Sequence, residues 1–136
     1  MVQFNYQRIT IIRMQRPSQH TLNEDLKWFG RSLGLFGIRD RDKSCYRVFV
    51  ELLKSTRQGK AMSSDELALK LGLSRGTVVH HLNRLMEAGI VMAQRNQYAI
   101  RVDNLKVLVD ELQRDMQRAF DDLRDVAQTI DKELGI

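Results

Sequence analysis

The sequence predicts a mainly α-helical protein with one small β-hairpin. Three observations carry this. Apolar residues recur at 3- to 4-residue steps in four short stretches and one long one. Ser or Thr precedes several of these stretches, and Gly follows several of them, as helix starts and stops require. One segment, after Gly89, switches to a period of two.

Residues 2–14, VQFNYQRITIIRM, open the chain with Val2, Phe4 and Tyr6 in alternation, followed by Ile9, Ile11 and Ile12. This β-branched and aromatic enrichment predicts a strand. A lone strand leaves its backbone unpaired, so it needs the hairpin, a second copy of itself or a partner; the alternative is a frayed terminal arm. Arg16-Pro17-Ser18 breaks the pattern. A helix is expected from about Thr21 to Leu33, with Thr21 and Glu24 spaced as a capping box and Leu22, Leu26, Phe29 and Leu33 forming its apolar stripe. Trp28, Leu35 and Phe36 widen the stripe, as packing or as the wall of a ligand pocket.

After Gly37 and the charged link Arg39–Lys43, a second helix runs from about Lys43 to Thr56 and is expected to bury Tyr46, Phe49, Val50 and Leu53. Cys45 lies either near that core or on its edge, and a lone thiol beside an apolar helix acts as a small hydrophobe. Ser63 and Glu66 repeat the capping-box spacing, and Leu67, Ala68 and Leu71 make a short apolar face that ends at Gly72. Ser74 then caps a further helix, which buries Val78, Leu82 and Leu85 and leaves Arg75, Thr77, His81 and Arg84 mostly off that face. Two short helices joined by a Gly-containing turn, the second polar and basic on its outer side, form a helix-turn-helix.

Ile90–Gln94 and Gln97–Val102 are expected as two strands joined by a tight turn at Arg95-Asn96, with Tyr98, Ile100 and Val102 on one face. From Asp103 the pattern is helical almost to the end of the sequence. Leu105, Val109, Leu112, Met116, Ala119, Leu123, Val126 and Ile130 alternate steps of 4 and 3. That predicts a helix of about 45 Å. Phe120, Ala127 and Leu134 widen its stripe beyond a two-stranded seam, which suits a small bundle or a coiled coil that also packs on the body. A monomer could hardly cover such a face, so the helix is expected to dimerise.

Charge divides along the chain. Residues 1–102 carry 17 Lys or Arg against 8 Asp or Glu, a net of +9, and residues 103–136 carry 5 against 9, a net of −4. The positive field lies with the helix-turn-helix and favours a polyanion there. One cysteine excludes an internal disulfide and fits a reducing cytoplasm. No apolar run suits a membrane span and no signal peptide is evident. Nor is there a Gly-rich phosphate loop, a nucleophile-and-base spacing or a carboxylate cluster outside a solvated helix face, so no catalytic activity and no cofactor are expected.

Residues 43–102 resemble the winged helix-turn-helix of ArsR-like transcriptional regulators, most closely the archaeal ones without a metal-sensor motif. The resemblance rests on Asp65-Glu66-Leu67-Ala68, Leu71-Gly72-Leu73-Ser74, Thr77-Val78, His81-Leu82, Leu85, Ala88-Gly89 and Ile90-Val91. It implies that the helix bearing Ser74, Thr77, Val78 and His81 enters the major groove, and that Gly89-Ile90-Val91 leads into the wing. Metal-sensing relatives cluster Cys, His and Asp. Here there are one Cys and three scattered His, and His80 and His81 point about 100° apart on a helix, so no metal site is expected.

The sequence therefore divides into an N-terminal strand-and-helix extension (1–40), a winged helix-turn-helix (41–102) and a long dimerisation helix (103–136). The expected function is sequence-specific reading of double-stranded DNA by a homodimer. The helix at about 74–88 would lie in the major groove and the wing at about 91–102 on the backbone or minor groove. Arg75 is placed to reach phosphate or a guanine edge, Thr77 a phosphate or thymine methyl, and His80, Asn83 and Arg84 the groove or its flanks. Gly76 leaves room for close approach, Ser74 can add a phosphate contact to its cap, and Arg95 and Arg101 can touch backbone from the wing. His81 has two readings, against DNA or half-buried against the scaffold. Dimerisation is assigned to Leu105, Val109, Leu112, Met116, Leu123, Val126 and Ile130, with the N-terminal strand as a possible second element. An unidentified effector or protein partner would act through the extension. The alternative is a winged-helix assembly module of the transcription machinery that reads no sequence.

Overall fold

The computed structural model describes residues 8–37 and 43–136. Val2, Phe4 and Tyr6 of the expected strand lie outside them. Residues 8–14 form no strand: the segment is irregular, with Ile11 and Ile12 exposed, and Ile12 donates its backbone N–H to the Ser32 carbonyl at 2.7 Å. That bond spends the segment's pairing on a helix end, so β-branched composition does not by itself make a strand here.

Helix α1 (Leu22–Ser32) starts where Thr21 accepts the Glu24 N–H at 3.1 Å; the Glu24 carboxylate lies 3.7 Å from Lys27. Leu26, Phe29 and Leu33 pack on the core, but Leu22, expected in the same stripe, is 77% exposed at the first position of the helix. Gly30 is the buried residue of α1. A Cβ there would sit 1.8 Å from Phe36 Cε2, so the glycine is what lets Phe36 lie against the helix. Phe36 in turn meets Tyr46 edge-on at 5.3 Å and Phe49 at 5.9 Å. Burial, and then the Glu24 carboxylate, push the Tyr46 phenol above its usual pKa of 10.0.

Helix α2 (Ser44–Arg57) is the central post. Its fully buried residues are Cys45, Val48, Phe49 and Leu52, whereas Tyr46, Val50 and Leu53 of the expected face are only partly buried. α1 covers one side of α2 and the helix-turn-helix the other, so two apolar stripes are both engaged and the deeper one is a step away from the one expected. Cys45 belongs to this core and its Sγ donates to the Leu35 carbonyl at 3.2 Å.

Helices α3 (Ser64–Leu71) and α4 (Arg75–Glu87) follow. The hairpin β1 (Val91–Gln94) and β2 (Gln97–Ile100) is antiparallel, with Val91 opposite Ile100 and Gln94 opposite Gln97. Arg95 and Asn96 both have positive φ, 54° and 62°, as a two-residue type I′ turn demands. Met62, just before α3, exchanges two backbone hydrogen bonds with Tyr98, which ties the hairpin to the helix-turn-helix. The arrangement is a winged helix-turn-helix. One continuous core, from Leu35 to Leu112, crosses the expected segment boundaries.

Helix α5 (Leu105–Leu134) begins at the Asn104 cap, whose side chain accepts the Val107 N–H at 2.9 Å, and ends at Gly135. Its attachment is short. Leu108 and Leu112 are buried in the body and Leu105 packs beside them. Leu112 and Leu105, expected at a dimer interface, are thus largely used within the chain. Past Met116 every residue is exposed, including Phe120, Leu123, Val126, Ile130 and Leu134. Among the described residues no helix is long and apolar enough to cross a membrane.

Candidate nucleic-acid interface

The local chemistry of α3, turn and α4 accounts for the site's shape. Ser63 and Glu66 complete a reciprocal capping box, with bonds of 3.1 and 3.2 Å. Gly72 ends α3 at φ 67°, a left-handed conformation that L side chains adopt at a cost. Arg47 of α2 donates to the Leu71 carbonyl, so the end of α3 is held from the central helix. Ser74 then caps α4. Its Oγ accepts the Thr77 N–H at 3.1 Å and donates to Thr77 Oγ1 at 2.8 Å.

Those caps set the rotation of α4. Val78, His81, Leu82 and Leu85 point into the core. The opposite face carries Gly76, His80, Asn83 and Glu87 along its centre, with Arg75 and Arg84 at the flanks, and all six are exposed; Thr77 is half-buried at the margin. A Cβ added at Gly76 would meet nothing within 4 Å and its φ is not positive, so the fold does not require glycine there. Arg75 Nε lies 3.5 Å from Asp65, both well exposed, a pair that solvent weakens. Arg84 extends toward the Gly34 carbonyl at 3.5 Å, at the far end of the face. Arg95 stands at the exposed tip of the hairpin.

Two residues expected near DNA are placed elsewhere. His81 is 8% exposed and its Nε2 lies 2.6 Å from Ser44 Oγ, at the start of α2. Of its two readings the scaffold one matches its position, because the ring fills the joint between α2 and α4. Arg101 is also withdrawn: its side chain is 9% exposed and bound by Glu111, Asp115 and the Gly89 carbonyl. Neither Ser44 as the partner of His81 nor the carboxylates of Arg101 could be read in the sequence, since these pairings join residues 37, 10 and 14 positions apart with no local pattern. His80 and His81 have ring centroids 5.5 Å apart and tilted planes. Among the described residues no group of three or more His, Cys, Asp or Glu is placed to hold a metal ion.

A short, capped helix held by its apolar side, with small, amide and cationic groups outward and a hairpin beside it, can enter a groove about as wide as the helix itself. Comparison with known proteins agrees with this geometry. Residues 50–93, from the middle of α2 into β1, match the model of the bacterial regulatory protein, arsR family. No curated protein and no solved structure gives a significant match.

Proposed function

We propose that this chain, an ArsR-like helix-turn-helix DNA-binding regulator by its match at residues 50–93, reads a specific double-stranded sequence as a homodimer. The observation that carries the reading is the outward face of α4. Gly76 sits at its centre with open space around it, His80 and Asn83 continue the line, and Arg75, Thr77 and Arg84 border it. In the proposed complex this face lies in the major groove. Asn83 and Arg75 meet base edges, the Ser74–Thr77 hydroxyl pair meets a phosphate, and Arg95 on the wing touches the backbone or minor groove. The positive charge of residues 1–102 supplies the sequence-independent attraction.

Dimerisation is assigned to the projecting part of α5. Val109 is 43% exposed, and beyond Met116 the stripe Leu123, Val126 and Ile130 with Phe120 and Leu134 is exposed, with no cover among the described residues. A second copy of the same face covers it symmetrically and places two α4 helices on one duplex. The test is a fluorescence-anisotropy titration of duplex DNA at several salt concentrations. Arg75→Ala with Arg84→Ala is expected to weaken binding by about 1–3 kcal/mol for each arginine that bonds a base edge, or to lower the salt slope by about 1 for each that neutralises a phosphate. An unchanged affinity and slope would refute the assignment of this face. Absence of binding by the wild-type protein at low salt would instead favour an assembly module that leaves DNA alone.

A further inference from the structure

We infer that Arg101 is a positioning residue that sets the angle between α5 and the DNA-reading body, and through it the spacing of half-sites a dimer accepts. The inference rests on the dimeric reading above.

Arg101 follows β2 directly, at the base of the wing. Its backbone N–H donates to the Ile90 carbonyl at 3.0 Å, which fixes the stem of the side chain at the start of β1. The guanidinium then divides its donors among three acceptors, two on α5 and one at the end of α4. Nε donates to Glu111 at 3.0 Å, one terminal nitrogen donates to Asp115 at 3.0 Å, and the same nitrogen reaches the Gly89 carbonyl, just past α4, at 3.3 Å. Glu111 and Asp115 are one turn apart and share a face of α5. Arg118 adds a weaker contact to Asp115 at 3.7 Å. The arginine side chain is 9% exposed, so water screens this cluster less than the surface pairs Lys106–Asp110 and Arg124–Asp121. A planar group with several fixed donors holds two carboxylates and a carbonyl in one geometry, which a lysine ammonium, a point charge, does not.

The leverage of this cluster comes from the shape of α5. Among the described residues, Leu105, Leu108 and Leu112 join the helix to the apolar core, all within its first turns. Beyond Met116 a further 18 residues project, about 27 Å. A tilt of ~10° at the base moves the tip by about 5 Å, more than the ~3.4 Å between successive base pairs. A row of three leucines fixes contact along one line and permits rocking about it. The polar clamp, one turn beyond Leu108 and beside Leu112, removes that freedom and refers the angle to the end of the reading helix itself.

The experiment has two arms on the full chain, with Arg101→Met, Arg101→Lys and the double variant Glu111→Gln, Asp115→Asn. The first needs no DNA. Spin labels at Lys54→Cys and Gln128→Cys, in a Cys45→Ser background and diluted with unlabelled chain, report the angle of α5 as a distance distribution. Arg101→Met and the double variant are expected to widen that distribution about twofold while helix content is kept, with Arg101→Lys in between; an unchanged width overturns the inference. The second arm measures binding to duplexes whose half-sites are stepped one base pair at a time. The wild type is expected to prefer one spacing by tenfold or more, and Arg101→Met to flatten that preference to within threefold without changing affinity for a single half-site. Equal weakening at every spacing would show a folding role only and overturn it. If the wild type binds no duplex, the function proposed above fails while the first arm still decides the clamp.

Discussion

Replacing Gly76 with Ala should make the protein more stable and a poorer DNA binder. Gly76 is the second residue of α4 and exposed, and an added Cβ would find nothing within 4 Å. The backbone there is not at positive φ, so alanine fits without strain. Glycine inside a helix costs about 0.5–1 kcal/mol relative to alanine, chiefly through the freedom it keeps when unfolded. The substitution is therefore expected to raise stability by up to that amount, a rise of ~2–6 °C in melting temperature for a chain of this size. On DNA the sign reverses. The methyl group stands at the centre of the face that the proposal places against the groove, and it holds the helix start away from bases and phosphates. A loss of about 1 kcal/mol or more, roughly fivefold or greater in affinity, is expected. Thermal melting and anisotropy on one preparation read both quantities. A variant that melts higher and binds equally well would show that nothing approaches Gly76. One that melts lower would contradict the geometry of α4.

Gly30→Ala tests the opposite case, because its Cβ would lie 1.8 Å from a buried ring; despite the better helix propensity, denaturant unfolding should show a loss of about 1–3 kcal/mol, and unchanged stability would mean Phe36 does not pack there. His81→Ala removes the partner of Ser44 and should cost about 1–3 kcal/mol in the same assay with the preferred DNA sequence unaltered. A fully stable His81→Ala protein with altered sequence preference would return His81 to the groove. Leu123→Asp puts a carboxylate in the middle of the exposed stripe of α5 and should give monomers in sedimentation; an unaltered profile would refute the dimer assignment.

The parts of the fold legible in the sequence are those with local causes. Ser63 with Glu66, Ser74, Gly72 and the Arg95-Asn96 turn each act within four residues, and each appears in the structure at the expected position. The outline of α5 was equally plain, because a 4-3 repeat over some thirty residues has few other readings. What escaped depends on distant neighbours. The depth order of α2's two stripes is decided by what packs on each side, and Val48 and Leu52 go deeper than Val50 and Leu53 for that reason. Leu108, outside the 4-3 stripe, is buried in the body, whereas Val109 within the stripe is 43% exposed. The same limit applies at the candidate site. Its outward residues follow from the helix period, but the withdrawal of His81 and Arg101 follows from Ser44, Glu111 and Asp115, with which no sequence pattern pairs them.

Selection of bound duplexes from a random pool tests the central claim most directly. A dimer presenting the α4 face twice should enrich a two-fold symmetric sequence, with half-sites about one helical turn apart, and Arg75→Ala with Asn83→Ala should change or abolish the enriched half-site. A pool that enriches nothing, or one whose enriched sequence is indifferent to Arg75 and Asn83, would contradict the reading of α4.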